Sequence, residues 1–324
     1  MPGEGARTGS ASTAAARAWA ELAGGRFADV RWVASTTSTN ADVMALARDG
    51  APEGVVVVAD HQSAGRGRRS RSWVAPAGGS LLLSVLTRPP AALAGAVTMA
   101  TAVALAEAVE REAGVTPGLK WPNDLVLAGC QAGPHGAVPH GAGLGPGERK
   151  LAGILAEADW PAGSTVSGGW REPAARARAV VVVGVGLNVS WPEPTAGAAG
   201  AAELVDVADT AAELVDVADT AVALNWVGAD VDRVDLLVAF LRRLGERYGE
   251  LVGTGPAGVM AEWRRRSATL GRRVRLDLGG VDLGGDDLEG TAVDVTAEGH
   301  LVVETLDGER RTIAVGDVVH LRPA

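Results

Sequence analysis

Short apolar runs alternate with amphipathic or alanine-rich stretches along the first 270 residues of the chain. Residues 55–60 (VVVVAD) and 81–87 (LLLSVLT) are continuous apolar runs, which predicts buried strands. Residues 96–113 are apolar and alanine-rich, which predicts a buried helix. The polar segment STTSTN supplies N-cap residues for a helix over residues 41–48, which Gly50 ends. Strands and helices therefore alternate in this part of the chain.

The same pattern continues downstream, with two interruptions. It predicts further strands at residues 31–34, 151–158 and 181–190, and amphipathic helices at residues 235–251 and 258–268. Residues 129–148 are rich in glycine and proline, which predicts a flexible insertion, and residues 161–178 are expected to form a mobile loop or hairpin link. The decapeptide AAELVDVADT occurs twice in tandem, at residues 201–210 and 211–220. This repeat is too short for a solenoid, so we interpret it as a duplication in a tolerant surface segment.

After Gly271 apolar and polar residues alternate strictly. The segments RVRLDL, GTAVDVT, HLVVETL, RRTIAV and VVHLR are separated by Gly and Asp, and they predict a small SH3-like β-barrel. The chain is therefore expected to divide into an N-terminal extension that is disordered or helical (residues 1–27), a main domain (residues 28–269) and a C-terminal barrel (residues 270–324).

Charge and cysteine content narrow the functional class. The formal net charge is −9, which disfavours non-specific nucleic-acid binding. Cys130 is the single cysteine, so no disulfide framework forms within the chain, and a cytoplasmic enzyme is the simplest class. No apolar run approaches the roughly 20 residues that span a membrane, and the N-terminal residues show no secretory signal.

Lysine is scarce in this chain. Of 30 Lys and Arg residues only Lys120 and Lys150 are lysines, and asparagine occurs four times. We interpret this as a GC-rich coding background that depletes residues with AT-rich codons. A Lys or Asn that persists against such a bias is a candidate for a specific role.

The segment QSAGRGRRSRSWVAP (residues 62–76) is the strongest candidate for chemistry. Its small residues let backbone amides approach a ligand, and its arginines supply charge for a phosphate or carboxylate. It is not a P-loop, because no Gly-Lys-Ser/Thr closes it. A solvated basic turn or an RNA-binding patch would have the same composition. Trp73 belongs either to the core or to the wall of an adenine pocket.

Three more segments combine Lys, Asn or Gly with strand boundaries. KWPNDL (residues 120–125) places a lysine, a rigid turn and an Asn-Asp pair together, although Asn-Asp is also common in simple turns. In RKLAGILAE (residues 149–157) Lys150 opens a strand, where a solvated edge lysine is the alternative. In VVVGVGLNV (residues 181–189) two glycines at alternate positions share one face and leave room for a flat ligand, or serve only packing.

Taken in this order, the four segments resemble the catalytic domain of biotin–protein ligases. The similarity includes GRGRR-x-R-x-W, KWPND, K-x-x-GIL-x-E and G-x-G-x-N, extends to Ser38–Thr39–Asn40 and to the C-terminal barrel, and covers about residues 30–190 and 235–322. It implies an α+β fold, with helices packed on a mixed central sheet of the type found in class II aminoacyl-tRNA synthetases. It also implies activation of biotin with ATP to biotinyl-5'-AMP, followed by transfer to a lysine of a biotin carboxyl carrier protein.

The resemblance implies roles for particular residues. Those expected at biotin are Ser38, Thr39, Asn40, Gln62, Gly65, Arg66, Gly67, Arg68, Lys150 and Gly153. Those expected at ATP are Arg68, Arg71, Trp73, Asn123, Lys150 and Asn188. Those expected to act in catalysis are Lys150, Arg66, Arg68 and Asp124, of which Asp124 would orient or deprotonate the acceptor amine. The sequence shows no metal-ligand signature, and magnesium is expected with ATP.

One departure and two alternatives accompany the resemblance. Members of the family usually have glycine where this chain has Ser70, so a positive φ there would strain the loop. A lipoate or octanoate ligase would share the lysine but not the KWPND and GRGRR segments. A non-enzymatic biotin- or RNA-binding module would show salt-sensitive RNA affinity without ATP turnover. No DNA or membrane partner is expected, and the chain is expected to be a monomer or homodimer.

Overall fold

A computed structural model describes residues 4–128, 147–160, 165–166, 169–170, 177–192, 221–277, 288–314 and 316–320. The tandem repeat and all but the last two residues of the predicted insertion at 129–148 lie outside these ranges, as does most of the predicted loop at 161–178. Within these ranges, no helix is both long and apolar enough to cross a bilayer.

The described elements follow the predicted alternation. The helices are α1 (Glu4–Leu22), α2 (Thr39–Arg48), α3 (Ala96–Ala113), α4 (Arg233–Thr254) and α5 (Ala257–Arg266). The strands of the first part are β1 (Asp29–Thr36), β2 (Val55–Gln62), β3 (Ser80–Thr87), β4 (Gly118–Lys120), β5 (Asp124–Ala128), β6 (Glu148–Asp159), β7 (Thr165–Val166), β8 (Gly169–Trp170) and β9 (Val180–Asn188). The strands of the last part are β10 (Arg273–Asp277), β11 (Leu288–Val295), β12 (Leu301–Thr305), β13 (Arg310–Ile313) and β14 (Asp317–His320).

A mixed seven-stranded sheet is the centre of the molecule. Its order is β1-β2-β3-β9-β6-β5-β4, and β1 and β2 run parallel while the other described neighbours are antiparallel. The short hairpin of β7 and β8 stands apart from it. The predicted α+β fold with a mixed central sheet is therefore confirmed.

Strand β9 is buried on both faces and shows how the layers are arranged. Val181, Val183 and Val185 belong to the large core that also contains α3 and α4. Val182 instead joins a smaller core under α2. Because side chains alternate along a strand, Gly184 and Gly186 lie on the α2 face. Gly184 lies under Asn40, in the first turn of α2, and Gly186 lies under Trp73.

The C-terminal strands form a separate antiparallel sheet of order β13-β12-β11-β10-β14. Its apolar side chains, among them Val274, Val295 and Val303, are continuous with the large core. The buried Trp121 connects the two sheets, because its Nε1 donates a hydrogen bond to Gly299 O at 2.9 Å. The domain limits near residues 27 and 269 stay predictions. The structure describes α1 in the N-terminal segment and a second sheet from Arg273 onward.

Candidate active site

A cavity of about 240 Å³ lies on the α2 face of the large sheet. It begins at the N-terminal end of α2 and runs over β9 and β6 to the turn between β4 and β5. The glycine- and arginine-rich loop (residues 65–72), which lies between β2 and β3, borders the cavity on the side away from the sheet. All four segments singled out in the sequence therefore contribute residues to the lining of this cavity.

Uncharged polar groups form one end of the cavity. Gln62 Oε1 accepts hydrogen bonds from the backbone N of Thr39 at 2.8 Å and from Thr39 Oγ1 at 3.1 Å. Ser84 Oγ lies 2.7 Å from Thr39 Oγ1 and 2.5 Å from Asn40 Oδ1. Ser38, Thr39 and Asn40 are each buried, so this polar cluster is held rigidly.

Glu157, for which no role was predicted from the sequence, completes this cluster. Its Oε2 accepts from Asn40 Nδ2 at 2.7 Å and from Arg66 NH2 at 2.9 Å. One carboxylate therefore connects the base of the arginine-rich loop to the polar end of the cavity. Ser84 was missed as well. The available signals were the glutamate that ends the K-x-x-GIL-x-E segment and the one hydroxyl inside the apolar run of β3.

Trp73 occupies the floor of the cavity. A Cβ built at Gly186 would lie 2.4 Å from Trp73 Cε2, and one at Gly153 would lie 2.8 Å from Cζ3, so the indole rests on both glycines. At Gly184 the corresponding space is filled by Asn40, whose Oδ1 would be 2.3 Å from such a Cβ. In the structure, protein side chains occupy the space above these glycines, which corresponds to the packing alternative.

The opposite end of the cavity carries cations. Lys150 Nζ lies 2.8 Å from Asp124 Oδ1 and 5.4 Å from the centroid of the Trp73 ring. Asn123 is fixed by its backbone O, which accepts from Ile154 N at 2.9 Å, and by its Nδ2, which donates to Ile154 O at 2.7 Å. Lys120 lines this end too. Both lysines of the chain therefore lie at the cavity.

The loop over the cavity is a tight hairpin with a strained tip. Gly65 O accepts from Trp73 N at 2.9 Å, and Gly67 N donates to Arg71 O at 2.6 Å. At the tip, Arg69 and Ser70 have φ angles of 54° and 60°. The condition named for strain at position 70, a positive φ, is therefore met, and serine accepts a conformation there that favours glycine.

The structure places most predicted site residues together. Those that line the cavity are Ser38, Thr39, Asn40, Gln62, Arg66, Gly67, Arg68, Arg71, Trp73, Asn123, Asp124, Lys150 and Gly153. Gly65 does not line it. A Cβ built at Gly65 would lie 2.4 Å from Trp73 O, so only glycine lets the two ends of the loop approach each other this closely.

Asn188 is also absent from the residues that line the cavity, and its contact with ATP stays a prediction. It is buried, and its Nδ2 donates to Val222 O at 3.1 Å and to Lys150 O at 3.4 Å. The Asn188 amide therefore holds the backbone of Lys150 next to the segment at Val222.

The arrangement suits a ligand with a neutral polar head, an apolar middle and an anionic end. Hydroxyl and amide groups meet the head, the indole lies under the middle, and Lys150 with Arg68 and Arg71 meets the anion. Trp73 Nε1 is buried without a hydrogen-bond partner among the described residues. A buried donor left open at a cavity is typical of a site that a ligand completes.

Comparisons with known proteins define the class first. Residues 32–165 match the Biotin/lipoate A/B protein ligase family, and residues 269–321 match the Biotin protein ligase C terminal domain. The fold agrees with that of a biotin protein ligase from Aquifex aeolicus in complex with biotin and ATP, at a TM-score of 0.62 and 22% identity over 92% of this chain and 100% of that chain. The fold is thus that of the biotin and lipoate protein ligases.

The sequence relatives narrow this class. A biotin--[acetyl-CoA-carboxylase] ligase of Mycobacterium tuberculosis (strain ATCC 25618 / H37Rv) is 34% identical over 93% of this chain and 92% of its own length. The bifunctional ligase/repressor BirA of Bacillus subtilis (strain 168) is 28% identical over 85% of this chain and 69% of its own length. The chain belongs to the biotin protein ligase family, which confirms the predicted ligase class.

Proposed function

We propose that the chain activates biotin with ATP to biotinyl-5'-AMP and then transfers the biotinyl group to one lysine of a biotin carboxyl carrier protein. The observation that carries this proposal is the polarity of the cavity, which changes from amides and hydroxyls at Thr39 and Gln62 to cations at Lys150. Biotin has the matching order, with a neutral ureido ring, an apolar chain and a carboxylate.

The polar end would recognise the ureido ring. Thr39 uses the Oε1 of Gln62 as an acceptor, which leaves the Nε2 group of Gln62 as a donor at the cavity. Asn40 and Thr39 are held in place by Ser84 and Glu157, so little side-chain freedom is lost on binding. The Trp73 ring would lie against the apolar part of the ligand and beside the nucleotide.

The cationic end would support adenylate formation. A carboxylate oxygen of biotin attacks the α-phosphorus of ATP, the bond to the bridging oxygen breaks, and diphosphate leaves. Negative charge increases on the α-phosphate in the transition state, where fixed cations are most effective. Lys150 is a compact charge next to the cavity floor, and Arg68 and Arg71 extend the positive field toward the loop.

Asp124 would serve the second half-reaction. The acceptor amine attacks the acyl carbon of biotinyl-AMP, loses a proton, and AMP leaves. Asp124 lies at the cavity within 2.8 Å of Lys150 Nζ, so its carboxylate is positioned to orient the incoming amine or accept its proton.

Magnesium would enter with the triphosphate, where it neutralises phosphate charge. The described residues contain no cluster of three or more His, Cys, Asp or Glu side chains suited to a metal. The ion usually takes only one or two protein oxygens beside phosphate and water ligands. The Asp124 carboxylate and the Asn123 amide oxygen at the cavity fit that requirement.

Pyrophosphate exchange into ATP tests the first half-reaction and its substrate. The purified chain with magnesium is given biotin, lipoate or octanoate in separate reactions. Exchange that requires biotin supports the proposal, whereas exchange only with lipoate or octanoate would replace biotin as the substrate. Biotinylation of a purified carrier domain, and its loss when the acceptor lysine becomes arginine, then tests the transfer step.

Lys150→Ala tests the role of this lysine in the same pyrophosphate-exchange assay. We expect exchange to fall by about 10²- to 10³-fold, as when a fixed group that stabilises transition-state charge is removed. Arg48→Ala, at the exposed end of α2, is the control and should keep wild-type exchange. Near-normal turnover of Lys150→Ala would remove this lysine from the reaction.

A further inference from the structure

The tip of the arginine-rich loop is attached to the C-terminal barrel. Arg69 NH1 and NH2 lie 3.0 Å and 3.4 Å from Asp277 Oδ2 and Oδ1, which is a two-point contact between guanidinium and carboxylate. Asp277 ends β10 and is absent from the cavity lining. It therefore contacts the loop from outside the site.

Arg68, the residue before Arg69, also contacts the barrel close to Asp277. Arg68 NH1 donates to Gly316 O at 3.1 Å. Asp277 is paired with Asp317 across β10 and β14, and Gly316 directly precedes Asp317, so Gly316 lies at the same end of these two strands as Asp277. Two consecutive loop residues are thus held by one corner of the barrel, next to Val318, which lines the cavity.

The loop needs such support because its tip is strained. Arg69 and Ser70 both have left-handed backbone conformations, which disfavour the closed hairpin relative to an open one. At its base the loop is held by the ion pair of Arg66 with Glu157. At the tip the described support comes from the barrel.

We propose that Asp277 is a positioning residue of the ligase reaction, which holds Arg69 and so keeps the loop closed while the acyl-adenylate waits for its acceptor. This inference rests on the adenylate pathway proposed above. If the loop opens early, water adds to the acyl carbon of biotinyl-AMP, the bond from that carbon to the phosphate oxygen breaks, and biotin and AMP are released with one proton. ATP is then consumed without transfer.

The test uses the full-length chain and measures three quantities in each variant. They are biotin-dependent pyrophosphate exchange, the rate at which preformed biotinyl-AMP is released or hydrolysed, and the AMP produced per biotinyl group transferred. Asp277→Asn keeps the size of the side chain and removes its charge. Glu309→Gln is the matched control, because Glu309 is 57% exposed in a barrel ion pair with Arg311 and Asp277 is 58% exposed.

For Asp277→Asn we expect exchange within twofold of wild type, and adenylate loss and AMP per transfer raised about two- to fivefold, the range of an exposed ion pair. High salt should raise adenylate loss in the wild type and reduce its difference from Asp277→Asn, because exposed charges are then screened. The charge swap of Arg69→Asp with Asp277→Arg should restore retention that Asp277→Arg alone has lost. Glu309→Gln should behave as wild type.

Unchanged adenylate loss in Asp277→Asn, an equal effect of Glu309→Gln, or a swap that restores nothing would each overturn the role of Asp277. These outcomes are distinct from failure of the proposed function, which would appear as absence of biotin-dependent exchange in the wild type itself.

Discussion

Replacement of Gly186 by alanine tests the position of the Trp73 indole directly. The added methyl carbon would lie 2.4 Å from Trp73 Cε2 and 2.6 Å from Cζ2. Carbon atoms in good contact are about 3.5–4.0 Å apart, so the ring or the strand must move by about 1 Å. Such overpacking typically costs about 1–3 kcal/mol. If the biotin complex is destabilised by the same free energy, the affinity for biotin falls by about 5- to 150-fold.

Urea unfolding and the KM for biotin in pyrophosphate exchange measure the two effects separately. The double variant Gly186→Ala with Trp73→Leu has space for the methyl group, so the cost of the methyl should largely disappear in a double-mutant cycle. Gly245→Ala is the control, because a Cβ there meets nothing within 4 Å. It lies in α4, where alanine favours the helix and should leave stability equal or higher.

Gly186→Ala with wild-type unfolding and wild-type KM would mean that the indole does not rest on this glycine. A stability loss of equal size with and without the Trp73 ring would mean that the methyl group meets something else.

Ser70→Gly should relieve about 1 kcal/mol of left-handed strain in the closed loop and slow adenylate release about fivefold in a stopped-flow assay; faster release would show that strain does not limit closure. Hydrogen bonds from Arg265 and Arg266 lower the pKa of Glu262 to about 2 from its ordinary 4.5, so its stabilisation is complete above about pH 5 and is lost as the pH falls toward 2. The melting temperature of Glu262→Gln should therefore fall below wild type at pH 7 and approach it at pH 3, and a difference independent of pH would contradict this. Trp121→Phe leaves the carbonyl of Gly299 without its donor and should cost about 1–3 kcal/mol in urea unfolding, whereas wild-type stability would show that this bond does not hold the barrel.

Local patterns were sufficient where the structure depends on local periodicity. The helix predicted over residues 96–113 coincides with α3, and strict alternation after Gly271 predicted the five strands of the second sheet. In both places one face is buried against a continuous core, so the spacing of apolar residues directly reflects the element.

Long-range contacts decided what the patterns left open. The two glycines of β9 indicated that something approaches the sheet, but not that Asn40 contacts Gly184 and the indole of Trp73 contacts Gly186, each from more than a hundred residues earlier in the chain. Glu157 meets Asn40 and Arg66 across 117 and 91 residues. Asn188 has the alternation expected for the face of the cavity, yet the segment at Val222 covers it. Periodicity assigns a face and cannot show which segment packs on it.

The position of both lysines at the cavity has a practical chemical consequence. The chain offers only two ε-amines, those of Lys120 and Lys150. Amine-directed reagents such as activated esters or pyridoxal phosphate with borohydride can therefore label only these two side chains and the α-amine at the start of the chain. Protection of that labelling by biotin or ATP would footprint the site without any substitution. An activated acyl group that escapes the cavity would likewise find no other lysine on its own chain to modify.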